Sequence, residues 1–263
     1  MDHSLLRRVL TGVVFLPVLF YLIHLGGWFF TAFLLLVILA GAWEWRRLVG
    51  DDRVGGLLRA LGALALCLAV SRSGEGNLTI GLTGFLLLVM LVALWHRSGD
   101  SRSWSGDLLL GALYLGLLPA FLILMRALPG GRELVLLTYA TVFCCDTAAY
   151  LIGRAWGRHP LWPRVSPRKT WEGAAAGLVA ALLLPLALRS WAATSVSPLE
   201  AAGFGLIVGT LGQAGDLIES RWKRERGIKD SSALLPGHGG VLDRFDNLHF
   251  VAPVLYTYLV VIG

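Results

Sequence analysis

Long, nearly unbroken apolar runs dominate the chain, and short polar stretches separate them. A helix needs about 20 mostly apolar residues to cross a hydrocarbon layer of about 30 Å. Runs that approach this requirement fall at 9–25, 28–43, 57–70, 78–95, 107–125, 133–152, 174–190, 201–219 and 248–263, nine in all. The third is short and flanked by glycine. The second ends at Trp43-Glu44-Trp45, which reads as an interfacial pair of aromatics. The first does not read as a cleaved signal peptide, because Pro17 interrupts it and another span follows almost at once. The pattern predicts an all-α, polytopic integral membrane protein of about nine transmembrane helices, with no internal repeat and no soluble appendage.

Composition agrees. Of 263 residues, 56% are apolar and 15% charged, and the mean hydropathy is +0.69. A soluble domain carries roughly 25% charged residues, so a water-facing surface could not be coated. Disorder is excluded by the abundance of Leu, Val, Ala and Phe. Three cysteines, Cys67, Cys144 and Cys145, are too few for a disulfide scaffold and read as small apolar packing residues.

The net charge of +6 is unevenly spread. With the N-terminus inside, 19 of the 23 Lys and Arg residues fall in the inside segments. Only Arg72, Arg126, Arg132 and Arg189 fall outside. This split satisfies the positive-inside rule and predicts a cytoplasmic N-terminus, with the C-terminus on the far side.

Two inside loops, 153–173 and 216–246, mix bases, acids, Gly and Pro. Acids also lie within spans. Asp146 sits about two turns from the inner end of the sixth, and Asp216 and Glu219, three apart, share one helix face. An ionised carboxylate in lipid costs several kcal/mol at least, so each needs a cation, a basic partner or a watery cavity. The plainer alternatives are a buried interhelical hydrogen bond or an acid at the interface. Gly212 and Gly215 would let a backbone or a ligand approach Asp216. Asp243 and Asp246 again stand three apart. With Asp216 they offer oxygen ligands suited to a hard cation such as Mg²⁺, and scattered histidines disfavour zinc.

Arg221, Lys223, Arg224, Arg226 and Lys229 crowd into nine residues. An anchor for anionic lipid explains the bases alone. It does not explain the interleaved Asp230, Asp243 and Asp246, or Gly237-His238-Gly239-Gly240. Glycine turns expose N–H groups to phosphate oxygens, and Lys and Arg bind phosphate. Carboxylates for a metal beside cations for phosphate recur in polyphosphate chemistry. Neither GxGxxG nor GxxxxGK[ST] is present. In the other loop, Arg168 and Lys169 suit a lipid phosphate or a triphosphate, and Thr170 suits the cap of the next helix, with Gly173 easing its start.

Ser220-Arg-Trp-Lys223-Arg224, then Lys229-Asp230, Pro236-Gly-His238-Gly239-Gly240 and Asp243-Arg244-Phe-Asp246 resemble the signature of the phosphatidate cytidylyltransferases (CDP-diacylglycerol synthases). Trp222 departs from it, standing where the family usually has an aliphatic residue, Met or Phe. Ser166-Pro-Arg-Lys169-Thr170-Trp-Glu-Gly173 and Asp146-Thr-Ala-Ala-Tyr150 resemble two further motifs of the family. The resemblance covers the C-terminal half. It implies a homodimeric inner-membrane enzyme, with its active site facing the cytoplasm, that makes CDP-diacylglycerol and pyrophosphate from CTP and phosphatidic acid. It implies Mg²⁺, with a second, monovalent cation such as K⁺ beside it, and no nucleic acid partner. By similarity Asp216 and Asp243, with Asp146, hold the metal, and Asp216, Asp243, Lys223 and Asp246 form the catalytic group. Ser220, Arg224, Lys229, Asp230, His238, Gly239, Gly240, Ser166, Lys169 and Thr170 then contact substrate. Residues 1–130 become a packing and dimer scaffold, and 131–263 the catalytic part of one membrane domain. The competing readings are a cation-coupled transporter, for which no inverted repeat is visible, and a CTP-dependent polyprenol kinase.

Overall fold

The computed structural model describes residues 3–50, 53–72, 101–189, 197–235 and 239–262. Helices α1 (His3–Leu25), α2 (Gly27–Val49) and α3 (Arg53–Arg72) come first. Next is a rod made of α4 (Ser101–Ala112), a π-helical turn at Leu113–Leu117 and α5 (Leu118–Ala127). Helix α6 (Gly131–Trp156) leads into a small hairpin of β1 (Pro160–Trp162) and β2 (Ser166–Thr170). Helices α7 (Trp171–Leu188), α8 (Pro198–Glu225) and α9 (Leu242–Ile262) complete the bundle. Among the described residues, seven helical stretches are long and apolar enough to cross a membrane, and α1 adds the shorter apolar stretch Phe15–Leu25. The protein is an all-α, multi-pass membrane protein, with one two-stranded hairpin among the described residues. The fourth expected span, 78–95, lies outside the described residues.

The outer surface is apolar. Phe29, Leu36, Leu57, Leu183 and Val261 all point outward, which suits hydrocarbon and not water. Lipid gives helices no hydrophobic reason to associate, so close packing must do so, and small residues permit it. Helices α6, α7 and α8 meet in this way. A Cβ on Gly177 would fall 2.9 Å from the Cys145 carbonyl oxygen, and one on Gly205 only 2.3 Å from that of Ala181. In the π turn, a Cβ on Gly116 would sit 2.2 Å from the Ala63 carbonyl oxygen. All three cysteines are free thiols; Cys67 and Cys145 are buried in the packing.

The helices outrun the apolar stretches. Ser220, Lys223 and Arg224 belong to the last turns of α8, and Asp243 and Asp246 to the first turns of α9. The expected free loop at 216–246 is therefore helical at both ends, and only 226–241 lie between the two helices. Hydropathy stops at the first charge, but the helix continues because its charges pair along it: Lys223 with Glu219 and Arg221 with Glu225, both four apart. Trp43 and Trp45 are not a matched interfacial pair. Trp43 is exposed, whereas Trp45 is buried against Tyr114 and Trp222, because residues two apart on a helix point to nearly opposite sides, about 160° apart.

Candidate active site

One end of the bundle opens into a cavity of about 840 Å³. Helix α6 contributes Asp146 and Arg154, the hairpin Arg168, Lys169 and Thr170, and α8 Asp216 and Lys223. The turn adds Asp230, and α9 adds Asp243, Arg244, Asp246 and Asn247. Thr170 is the N-cap of α7. Its hydroxyl accepts from the Gly173 N–H at 3.2 Å, as its position before that helix predicted. Capping stops β2 where Lys169 meets the cavity.

Lys169 Nζ lies 2.5 Å from Asp216 Oδ2, and Ser220 donates its hydroxyl to Asp216 Oδ1 at 3.1 Å. The Asn247 amide donates to Asp146 Oδ2 at 2.8 Å, and the Asn247 N–H to Asp246 Oδ1 at 2.8 Å. Asn247 thus links the acids of α6 and α9. Lys223 sits between two carboxylates, 2.6 Å from Asp243 Oδ1 and 3.1 Å from Glu219 Oε1. Glu219 is fully buried beneath it, and the Tyr114 hydroxyl donates to its other oxygen at 2.8 Å. Asp243 Oδ2 accepts from the Gly240 N–H at 2.7 Å, the Ser231 N–H at 3.0 Å and the Ser231 hydroxyl at 3.2 Å.

The structure brings Asp146, Lys169, Thr170, Asp216, Lys223, Asp230, Asp243 and Asp246 to one cavity, with Ser220 behind Asp216. Ser166 pairs with Trp162 in the hairpin, and it, Arg224 and Lys229 do not line the cavity. Arg224 instead donates to the Ile228 carbonyl at 2.7 Å, closing the end of α8. Gly239 has φ +80°, which favours glycine, and the N–H of Gly240 is already given to Asp243. His238 lies outside the described residues. Gly215 serves helix packing, since a Cβ there would fall 2.7 Å from the Asp246 carbonyl oxygen.

Among the described residues, no three His, Cys, Asp or Glu side chains form a ready-made metal cage. The donors nevertheless fit Mg²⁺. Five carboxylates open on the cavity without an imidazole or thiolate. Mg²⁺ is normally held by one or two carboxylates, with waters and substrate phosphates completing its shell.

Sequence reasoning missed Glu44, Tyr114, Ser231 and Asn247. Glu44 is fully buried on α2, and its two oxygens accept from Ser231, Ser232, Val241 and Leu242. Its signal was an acid close to the end of an apolar run; the flanking tryptophans disguised it. Tyr114 carries no charge inside an apolar span, so nothing in the pattern marked it.

Comparison with known proteins gives a concordant result. The model of the cytidylyltransferase family matches residues 6–262. A phosphatidate cytidylyltransferase of Staphylococcus aureus strain COL is 33% identical over 260 residues, covering 97% of both chains. The protein of that name in Staphylococcus epidermidis strain ATCC 35984 is 31% identical over 258 residues, covering 96% of this chain and 98% of its own. That of Staphylococcus saprophyticus is 33% identical over 259 residues, covering 97% of both.

Proposed function

The chain belongs to the cytidylyltransferase family, and we propose that it transfers CMP from CTP to phosphatidic acid, giving CDP-diacylglycerol and pyrophosphate. The observation that carries this reading is the single cavity where Asp146, Asp216, Asp243 and Asp246 meet Arg154, Arg168, Lys169 and Lys223. Such a mixture serves a polyphosphate better than a lone ion in transit, which needs no cluster of bases.

A phosphate oxygen of phosphatidic acid attacks the α-phosphorus of CTP. A new P–O bond forms as the bond to the β-phosphate oxygen breaks, and pyrophosphate leaves with that electron pair. A phosphate monoester has its second pKa near about 6, so the attacking oxygen needs no general base at neutral pH. The chain's work is alignment and charge neutralisation. Lys223, held by Asp243 and Glu219, and Lys169, held by Asp216, point ammonium groups at the cavity where phosphates would lie. Asp216 and Asp243, with Asp146, would hold Mg²⁺, and a monovalent cation such as K⁺ belongs beside them. When bound, these ions supply neutralisation of phosphate oxygens. Ser220 orients Asp216. Arg224, Lys229, Ser166 and His238 remain in the proposal as substrate contacts on the family resemblance alone.

The cavity end faces the cytoplasm in this reading, and the N-terminus lies on the same side. Arg46, Arg47, Arg154, Arg158, Arg164, Arg168, Arg221 and Arg226 cluster at the end of the bundle that carries the cavity, which is the positive-inside pattern. Nine crossings belong to the same reading. Gly111 packs on Arg59 and Gly116 on Ala63, so α3 and the α4–α5 rod run in the same direction, an arrangement that supports this count. Homodimer formation through residues 1–130 rests on the family resemblance. The relatives of the same name come from bacteria, which points to the plasma membrane.

Purified protein in detergent with phosphatidic acid and Mg²⁺ tests the activity. CTP labelled at the α-phosphorus is expected to label the lipid, with release of pyrophosphate. An unlabelled lipid refutes the reading. Lipid labelled from γ-labelled CTP would make the chain a lipid kinase instead.

A further inference from the structure

Glu44 lies on α2, far along the chain from every residue of the cavity, and does not line it. It is fully buried, yet its carboxylate is saturated. Oε1 accepts from the Ser232 hydroxyl at 2.5 Å and the Val241 N–H at 2.8 Å. Oε2 accepts from the Ser231 hydroxyl at 2.9 Å and the Leu242 N–H at 2.8 Å. Two of these donors are amides at the start of α9, which have no partner within their own helix. The other two are hydroxyls on the far side of the turn that joins α8 to α9. One buried anion therefore pins both sides of that turn. A second tie from α2 runs from Arg47 Nη1 to the Ser231 carbonyl at 3.4 Å.

The pinned turn is the one that holds Asp243. Ser231 gives its N–H to Asp243, and its hydroxyl stands between the two carboxylates, 2.9 Å from Glu44 Oε2 and 3.2 Å from Asp243 Oδ2, so its one proton is shared between them. Asp243 in turn holds Lys223. The backbone is fitted to this arrangement, because a Cβ on Gly240 would fall 1.8 Å from Ser231 Oγ and 2.6 Å from Glu44 Oε2. We infer that Glu44 is a positioning residue for the transfer reaction: through Ser231 it sets where Asp243 and Lys223 stand against the substrate phosphates. The inference rests on the reaction proposed above. It extends the working site to the N-terminal half of the chain. A plain helix cap would need the two amides and neither serine.

Glu44→Gln is the sharpest test. Each oxygen takes two donors, so either orientation of the new amide turns its NH₂ toward one backbone N–H that cannot rotate away. A displacement of about 1 Å at a reacting group costs on the order of 100-fold in rate. Turnover in the Gln variant should fall by about that factor, with KM for CTP little changed. Glu44→Asp, which keeps both acceptors, should recover part of it. Ser231→Ala removes the hydroxyl that stands between Glu44 and Asp243 and leaves the N–H of residue 231 on Asp243. Its loss should not add to that of Glu44→Gln in the double variant, since both act along one path. A merely structural role would instead give independent losses that track the folded fraction.

Hydrogen exchange of the amides at 240–242 provides a readout that needs no activity. They should be protected in the unaltered protein and exposed in Glu44→Gln. Unaltered turnover, unaltered exchange or fully multiplicative losses would each overturn the inference. If the unaltered protein transfers no CMP, the proposed function falls, and the inferred role in transfer falls with it. The exchange arm then still decides whether Glu44 pins the turn.

Discussion

Lys223→Met removes one ammonium while keeping most of the side chain's length. Lys223 is 8% exposed, Glu219 0% and Asp243 6%, so the cluster is shut away from solvent. Removing one partner of such a pair costs about 3–5 kcal/mol, because the remaining charge is buried without compensation. The two carboxylates do not share this cost equally. Asp243 keeps the Gly240 N–H, the Ser231 N–H and the Ser231 hydroxyl. Among the described residues, Glu219 keeps only the Tyr114 hydroxyl. Most of the penalty therefore belongs to Glu219, and neutralising it should relieve most of the loss.

Equilibrium unfolding of the detergent-solubilised protein, read alongside lipid labelling from CTP, separates stability from chemistry. Lys223→Met should shift the folding equilibrium by on the order of 10² to 10⁴, the equivalent of about 3–5 kcal/mol. The double variant Lys223→Met with Glu219→Gln should regain at least half of that. It should remain inactive, because the Lys223 ammonium no longer faces the phosphates and Lys169 on the other wall does not replace it. A double variant less stable than Lys223→Met would refute the assignment of the penalty to Glu219. Restored transfer in the double variant would refute the phosphate-handling role of Lys223.

Lys169→Ala should cost less than about 1 kcal/mol in stability, since both partners of the Lys169–Asp216 pair are 29% exposed; transfer should fall at least about 100-fold, and normal turnover would contradict the role. Asp216→Asn should abolish lipid labelling at every Mg²⁺ concentration while its unfolding midpoint barely moves, and full activity would remove Asp216 from the metal reading. Gly205→Ala should cost about 1–3 kcal/mol as its Cβ meets the Ala181 carbonyl oxygen at 2.3 Å; an unchanged unfolding curve would mean that α7 and α8 do not pack this closely. In right-side-out vesicles, an impermeant thiol reagent should modify an Arg132→Cys variant, and an Arg164→Cys variant only after the vesicles are opened. The reverse pattern would invert the orientation.

The membrane character of the chain was legible because apolar runs of span length are rare in soluble folds, and the seven long helices coincide with seven of those runs. The penalty that lipid sets on a charge marked Asp146 and Asp216, and motif spacing marked Lys169, Lys223 and Asp243. Hydropathy misread the helix ends. It counts a lysine as a stop, although Lys223 stays helical once Glu219 and Asp243 neutralise it. Hydrogen bonds between distant segments were the least visible. Nothing along the chain says that Glu44 meets Ser231, 187 residues away, or that Tyr114 meets Glu219, 105 away.

Those two contacts change what the first half of the chain is for. If residues 1–130 only filled space, the charged cluster would rest on its own helices, and substitutions in α2 or the π turn would act through packing alone. Tyr114 sits on the π turn, whose backbone is drawn against Ala63 at Gly116, and its hydroxyl reaches the buried end of the Lys223 cluster. Glu44 reaches the other end through Ser231. Lys223 is thus fixed from two N-terminal helices at once. A π turn adds one residue to a helical turn and re-aims the side chains around it, which is one reason such turns gather at functional sites. Here the re-aimed side chain is the one that holds Glu219. Deleting one residue from Leu113–Leu117 to restore α-helical spacing should therefore impair transfer in the way Tyr114→Phe does, although neither change touches the cavity wall.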